Sequence, residues 1–199
     1  MMVAHPIGRG KTQILNTATG ARLRAQAPRA VNKNRLTIRA ATVRDINALV
    51  AIETACFGRN RPYRDHVFGE SQFRYYLRSD HAVTLLATRN GTPVGSAIAT
   101  VGRGTRSGSA RILSIALIAG ARRQGLGRRL LRRVVRELAA QGCERIVLEV
   151  ADQAGAARAL FRGEGFAAVR RLPDYYGRSM HGTRMALATG PRRRSKNRE

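Results

Sequence analysis

The chain has 199 residues, enough for one domain with a sizeable core plus tails. Its 43% hydrophobic content excludes a wholly disordered chain, and no apolar run approaches the ~20 residues of a membrane-spanning helix. Charge is the outlier: 37 Lys+Arg against 12 Asp+Glu gives +25. That predicts either an acidic partner or simply an arginine-heavy proteome.

Cysteine and histidine usage excludes more. Cys56 and Cys143 are far apart and lack metal-ligand spacing, which fits buried thiols in a reducing cytosol. His5, His66, His81 and His181 are scattered, so no metal site is predicted.

From Met1 to Arg35 there is no acidic residue and no lasting hydrophobic periodicity, which predicts a disordered basic extension over 1–35. It has no apolar core of a secretory signal. An acid-free, Arg-bearing start also fits an organellar presequence, but this one is serine-free and carries Pro6 and Pro28. The ordered domain is predicted over 36–188, followed by a second basic tail over 189–199.

Leu36, Ile38 and Ala40 alternate as in a strand. Thr42 with Asp45 three residues on resembles a capping box, and Ile46, Leu49, Val50 and Ile52 continue as a helical stripe. A second short helix is predicted over "ESQFRYYLRS". "AVTLLATRNGTPVGSAIAT" holds two apolar runs around Asn90-Gly91, a strong hairpin signal. A glycine-rich connection, "GRGTRSGSA", leads to "RILSIALI", a β-rich run with the look of a strand buried on both faces. Leu126, Leu130, Leu131, Val134, Val135 and Leu138 then mark an amphipathic helix that Gly142 ends. The strand "CERIVLEV", the helix "AGAARALFRGEG" and the strands "FAAVRRL" and "GTRMALAT" complete one mixed α/β domain without internal repeats.

Chemistry concentrates where "SIALIAGARRQGLG" enters the leucine helix. A sharp turn from strand to helix leaves main-chain N–H groups facing outward at the positive end of a helix dipole, which suits an anion. Gly125 and Gly127 permit unusual dihedrals and close approach, and Arg122, Arg123 and Arg128 add charge at the rim. The turn is neither a P-loop, lacking Gly-Lys-Ser/Thr, nor a dinucleotide fingerprint. Taken alone, it also fits a tight connection that needs small residues.

In context, "RRQGLG" between a buried strand and a leucine helix resembles the GNAT acyltransferases. Arg122, Arg123, Gln124, Gly125, Leu126 and Gly127 satisfy that family's pattern of Arg/Gln, two free positions, Gly, one free position, then Gly or Ala. The resemblance runs from Leu36 to Ala188 and takes in "LEV", "ALFRGEGF" and "DYY". It is strongest toward the branch that acetylates protein N-terminal amines. It implies a single domain with a mixed, mostly antiparallel sheet flanked by helices, acetyl-CoA as acyl donor, and a primary amine, such as a protein N-terminus, as acceptor. It further implies that the turn, with Arg128, holds the coenzyme A pyrophosphate. Ile115, Ala116 and Leu117 would bond the pantetheine arm, an amide near Leu117 polarising the thioester carbonyl.

Glu149 in "LEV" stands at the family's general base, which is the favoured reading, with a salt bridge to one of the many arginines as the alternative. The family's acid, a Tyr, is replaced by Phe161, and the family Asn in the preceding turn by Ala154 or Gln153. Tyr175 and Tyr176 are candidate replacement proton donors; packed aromatics are the alternative. Acceptor loops are expected around "GRNRPYRDHVFGE" and "PDYYGRSMHG". A second reading is an acyl-CoA-binding domain with weakened catalysis, whose tails and Arg132, Arg133 and Arg136 dock on RNA or the ribosome. Both readings place the chain in the cytoplasm, with neither metal nor membrane.

Overall fold

The alternating Leu36, Ile38 and Ala40 form an edge strand, β1 (Leu36–Ala40), of a seven-stranded sheet. The structure, a computed structural model, describes residues 35–58, 67–102 and 108–190. The two predicted basic tails lie almost wholly outside these residues, as do most of the first acceptor loop, the centre of the glycine-rich connection, His5 and His66.

Thr42 and Asp45 form the expected capping box. The Thr42 amide donates to Asp45 Oδ2 at 2.8 Å, and the first turn, Val43–Asp45, is a tight 3-10 helix. Helix α1 (Ile46–Phe57) follows, then α2 (Glu70–Leu77). The Asn90-Gly91 hairpin joins β2 (Ala82–Arg89) to β3 (Thr92–Val101), with both turn residues at positive φ. Strand β4 (Ser109–Leu117), helix α3 (Leu126–Ala140), β5 (Arg145–Ala151), α4 (Gly155–Gly163), β6 (Ala167–Leu172) and β7 (Gly182–Ala188) complete the domain. The elements run from Leu36 to Ala188.

The strand order is β1-β2-β3-β4-β5-β7-β6, and only β4 and β5 run parallel. That single parallel step requires a crossover, which α3 supplies. Helices α3 and α4 cover one face, burying Leu126, Leu130, Leu131, Val134, Leu138 and Phe161 against Ile112, Ile115 and Leu148. Helices α1 and α2 cover the other, burying Leu49, Ile52, Phe73 and Tyr76 against Ile98, Leu113 and Ala116. Strand β4 is thus apolar on both sides, as its unbroken hydrophobic run predicts. Both cysteines are free and buried. Among the described residues no helix is long and apolar enough to cross a membrane, and no group of three candidate ligands could hold a metal ion.

Two departures from ideal geometry shape the site. The β3–β4 register shifts, with Ile98 opposite Ser114 and Ala99 opposite Ile112, so Leu113 is an extra residue on β4. A bulge of this kind bends its strand. On the other side of β4, pairing to β5 stops at Ile112 opposite Leu148, although both strands continue. Beyond the bulge the two strands diverge, leaving a notch between Ser114–Leu117 and Glu149–Ala151.

Candidate active site

The notch presents unspent main-chain donors. The Ile118 amide bonds to Val94 O on β3 at 3.1 Å. Polar groups of a strand alternate in direction, so Ala116 also faces β3, whereas Ile115 and Leu117 turn their amides toward the open side. The Leu117 carbonyl faces that way too and accepts from Arg122 Nε at 2.9 Å. Of the three predicted strand residues, Ile115 and Leu117 therefore offer main-chain groups to the notch, and Ala116 spends its own within the sheet.

The turn below the notch is shaped by two left-handed residues, Arg123 (φ 61°) and Gly125 (φ 73°). Gly125 is the N-cap of α3, and no side chain caps the helix. The first amide to find an intrahelical partner is that of Arg129, which donates to Gly125 O at 3.1 Å. Amides of the first turn, Leu126 to Arg128, are thus aimed outward at the positive end of a four-turn helix. Gly127 differs from the sequence expectation: it lies in ordinary helix, and the second left-handed position falls to Arg123.

The side chains at the rim are already engaged. Gln124 Nε2 donates to Gly120 O at 2.9 Å while its Oε1 accepts from Arg89 at 2.6 Å, which braces the turn against β2. Arg128 pairs with Glu164 at 2.9 Å, sharing it with Arg132 at 2.6 Å. Its charge thus joins α3 to the end of α4 rather than standing over the turn.

On β5, Glu149 is the first residue past the last β4 pair, and its side chain is 1% exposed. It lies opposite Arg184 of β7, whose Nε donates to Glu149 Oε1 at 2.8 Å, and Arg111 of β4 stands 3.5 Å from the same oxygen. The arginine partner that the sequence left as an alternative is therefore present. Even so, Oε2 is buried and has no hydrogen-bond partner among the described residues. A buried carboxylate oxygen without a donor costs several kcal/mol unless a ligand supplies one.

Tyr175 lies within reach of the fields of Glu149, Arg111 and Arg184. Burial first, then the Glu149 charge, push its hydroxyl up to about 12, so it stays protonated at any physiological pH. Tyr176 stacks edge-on against it at 5.0 Å and is 2% exposed, with its ring closely packed over Gly182. Tyr175 thus belongs to the Glu149 cluster, while Tyr176 is chiefly its wall.

Phe161 is fully buried. Helix α4 ends in a Schellman motif: the Phe166 amide bonds to Phe161 O and the Gly165 amide to Arg162 O, both at 3.0 Å, with Gly165 at φ 89°. Such a motif brings the residue after the glycine against the last helical turn, and here the Phe161 and Phe166 rings meet edge-on at 5.9 Å. Phe161 thereby has a packing role of its own.

Sequence reasoning missed Glu53. It sits on the apolar stripe of α1, four residues after Leu49, and is fully buried. Ser114 Oγ, one residue beyond the bulge, donates to its carboxyl at 3.1 Å. The Phe68 amide also bonds to it. Desolvation dominates these bonds and raises its pKa to about 8. One turn on, the Cys56 thiol is pushed up by burial, and its sulfur accepts from Arg122, the residue that holds Leu117 O. Helix α1 is thereby stitched to both ends of the β4 arm. The available signal was an acid on the apolar face of a helix.

Comparison with known proteins agrees with this geometry. Residues 46–166 match the model of the acetyltransferase (GNAT) family. An N-alpha-acetyltransferase MAK3 of Arabidopsis thaliana is 27% identical over 115 residues, 58% of this chain and 60% of that protein; the chain thus spans less than two thirds of this curated relative's length. The ribosomal-protein-S18-alanine N-acetyltransferase of Escherichia coli superposes with a TM-score of 0.67 at 26% identity, covering 83% of this chain and 99% of that one. A putative acetyltransferase of Salmonella typhimurium, solved with its cofactor acetyl-CoA, shares the fold with a TM-score of 0.67 at 23% identity, over 82% and 99% of the two chains. With the family model spanning well over half the chain, and the bulged, splayed β4–β5 pair and uncapped α3 turn in place, this protein belongs to the GNAT acetyltransferase family.

Proposed function

We propose that the protein is an acetyl-CoA-dependent N-acetyltransferase acting on a primary amine, such as the N-terminus of a protein. The observation that carries this reading is Glu149 Oε2, a buried acceptor with no donor among the described residues, set where the β4 and β5 arms part. An amine N–H is the group it lacks.

In this reading the outward amides of Leu126, Gly127 and Arg128, with the left-handed Arg123 and Gly125, bind the pyrophosphate of acetyl-CoA. Arg122, Arg123 and Gln124 form the walls of that turn, and Arg128 contributes its amide while its side chain serves α4. Ile115 and Leu117 bond the pantetheine arm through their main chain, Ala116 backs them from within the sheet, and the Leu117 amide polarises the thioester carbonyl. Glu149 orients the acceptor amine through Oε2 and takes its proton. An α-amine titrates near 8, so an appreciable fraction is already neutral at pH 7.5 and the base has modest work to do. As the N–C bond forms and the C–S bond breaks, the leaving thiolate must gain a proton. Tyr175 can donate a hydrogen bond to it, but a phenol near 12 is a weak source of a full proton. Solvent is the natural donor, since a thiol of ordinary pKa near 8.5 leaves readily.

The test is acetyl transfer to a panel of N-terminal peptides by wild type and Glu149→Gln. Turnover by the variant should fall ~10²–10⁴-fold while acetyl-CoA still raises its melting temperature. Unchanged turnover would remove Glu149 as base.

A further inference from the structure

We infer that Glu53 is a positioning residue for acetyl transfer. Its buried carboxyl ties the free arm of β4 to the described end of the first acceptor loop, and so keeps the thioester side and the acceptor side of the site in register. The inference rests on the transferase reading above and concerns how that site is held in shape.

Pairing of β4 to β5 ends at Ile112, so the arm Ser114–Leu117 is bonded to a strand on one edge only, through β3. An arm bonded on one edge is easily displaced, and a contact on its face must supply the hold that β5 does not. Ser114 is the one residue of the arm with a polar side chain. It stands directly past the bulge, is fully buried, and its hydroxyl donates to the two oxygens of Glu53 at 3.1 and 3.3 Å. Leu117, whose amide polarises the thioester in the transferase reading, lies three residues on, about 10 Å along the strand. That end is gripped from α1 as well, because Arg122 bonds both Leu117 O and Cys56, one turn after Glu53.

The other partner of Glu53 is the Phe68 amide. Phe68 is 1% exposed, with its ring against Phe73 and Tyr76 of α2 at 6.1 and 5.8 Å. One carboxyl thus joins α1, the β4 arm and the segment that enters α2. Packing does not account for an acid here. Leucine at this place on the α1 stripe would avoid burying a carboxyl, but would leave Ser114 Oγ and the Phe68 amide without that acceptor. Glu53 holds its proton to about 8, so the anchor is neutral at neutral pH and glutamine matches it in charge and shape. A misplacement of about 1 Å between reacting groups costs on the order of 10²-fold in rate, so slack in the arm should appear in kcat.

The experiment compares wild type, Glu53→Ala, Glu53→Gln, Ser114→Ala and the Glu53→Ala/Ser114→Ala double variant as full chains. Acetyl transfer to N-terminal peptides and amide hydrogen exchange are measured well below each Tm. Glu53→Ala and Ser114→Ala should each lower kcat about 10–100-fold, while the KM for acetyl-CoA stays within about threefold because the pyrophosphate turn is untouched. Glu53→Gln should recover most of the Glu53→Ala loss, and the double variant should be no slower than the slower single one. In both Ala variants, exchange of the Ala116 and Ile118 amides, which face β3, should quicken at least about tenfold while β2 keeps its protection. A general loss of stability would instead quicken both strands. Ser114→Ala removes one hydroxyl only, so it carries the test even where Glu53→Ala is too unstable to assay. Wild-type kcat in Ser114→Ala, losses that multiply in the double variant, or exchange that quickens evenly across the sheet overturn the inference and leave the transferase reading standing. A wild type that acetylates no peptide, although acetyl-CoA raises its melting temperature, overturns the transferase reading, and the exchange pattern then decides separately whether Glu53 anchors the arm.

Discussion

Burying Glu53 has a cost that depends on pH, and Glu53→Gln should expose it. In the unfolded chain this carboxyl releases its proton near the usual 4.5; in the folded protein it holds the proton to about 8. Between those values the native state binds more protons than the unfolded one, so the Glu53 contribution to stability falls as pH rises and levels off above 8. One bound proton is worth about 1.4 kcal/mol per pH unit, so the whole span of some 3.5 units amounts to roughly 5 kcal/mol. Glutamine keeps an acceptor oxygen for Ser114 Oγ and the Phe68 amide but cannot ionise. The stability gap between variant and wild type should therefore move in favour of the variant by about 2–3 kcal/mol between pH 5.5 and 7.5. For a chain of this size that corresponds to roughly 5–10 °C in relative Tm. Urea denaturation of both proteins at pH 5.5, 6.5, 7.5 and 8.5 measures it, and taking the difference cancels every other titrating group. Stability curves that run parallel across this range would refute the reasoning, because they would mean that Glu53 ionises alike in the folded and unfolded chains.

Gly125→Ala should weaken acetyl-CoA binding about tenfold or more in a thermal-shift titration while costing about 1 kcal/mol of stability, since a Cβ at φ 73° strains the turn that aims the α3 amides although it meets no neighbouring atom. Phe161→Tyr should raise kcat severalfold without changing the KM for acetyl-CoA if thiolate protonation limits turnover; an unchanged kcat would mean that another donor already serves or that product release limits. The same variant should lose about 1–3 kcal/mol of stability, because its hydroxyl enters a fully buried site against Phe166.

How much could be read from the chain alone depended on how local each determinant is. The α3 leucines repeat within a few residues, and the Asn90-Gly91 turn acts on its two flanking strands, so both elements were readable. The capping box of Thr42 and Asp45 is equally local. Leu113 carries no such mark. Its bulge shows only in the pairing of β4 to β3, which is set by residues far away in the chain. The partner of Glu149 was beyond reach for the same reason: Arg184 lies 35 residues on, and only the β5–β7 register selects it among many arginines. Gly127 shows the converse error. Two glycines in a turn invite the same role for both, yet helix geometry begins at Leu126 and leaves only Gly125 a left-handed position.

The net charge of +25 invites a reading in terms of polyanions, but the site argues for a more local use of arginine. Along α3, Arg128 and Arg132 share Glu164 and fasten α3 to the end of α4, while Arg133 pairs with Glu137 within α3 and donates to Ile38 O of β1. The Arg128 and Arg132 side chains are more than half exposed, where an ion pair contributes about 1 kcal/mol or less. Beyond a screening length of ~8 Å at physiological ionic strength, the remaining surface charges act on an approaching acceptor only weakly. Arg111 and Arg184 differ in kind. They meet a carboxylate that is 1% exposed, in a medium where charge is poorly screened, and so hold Glu149 far more firmly than the exposed helix pairs hold theirs.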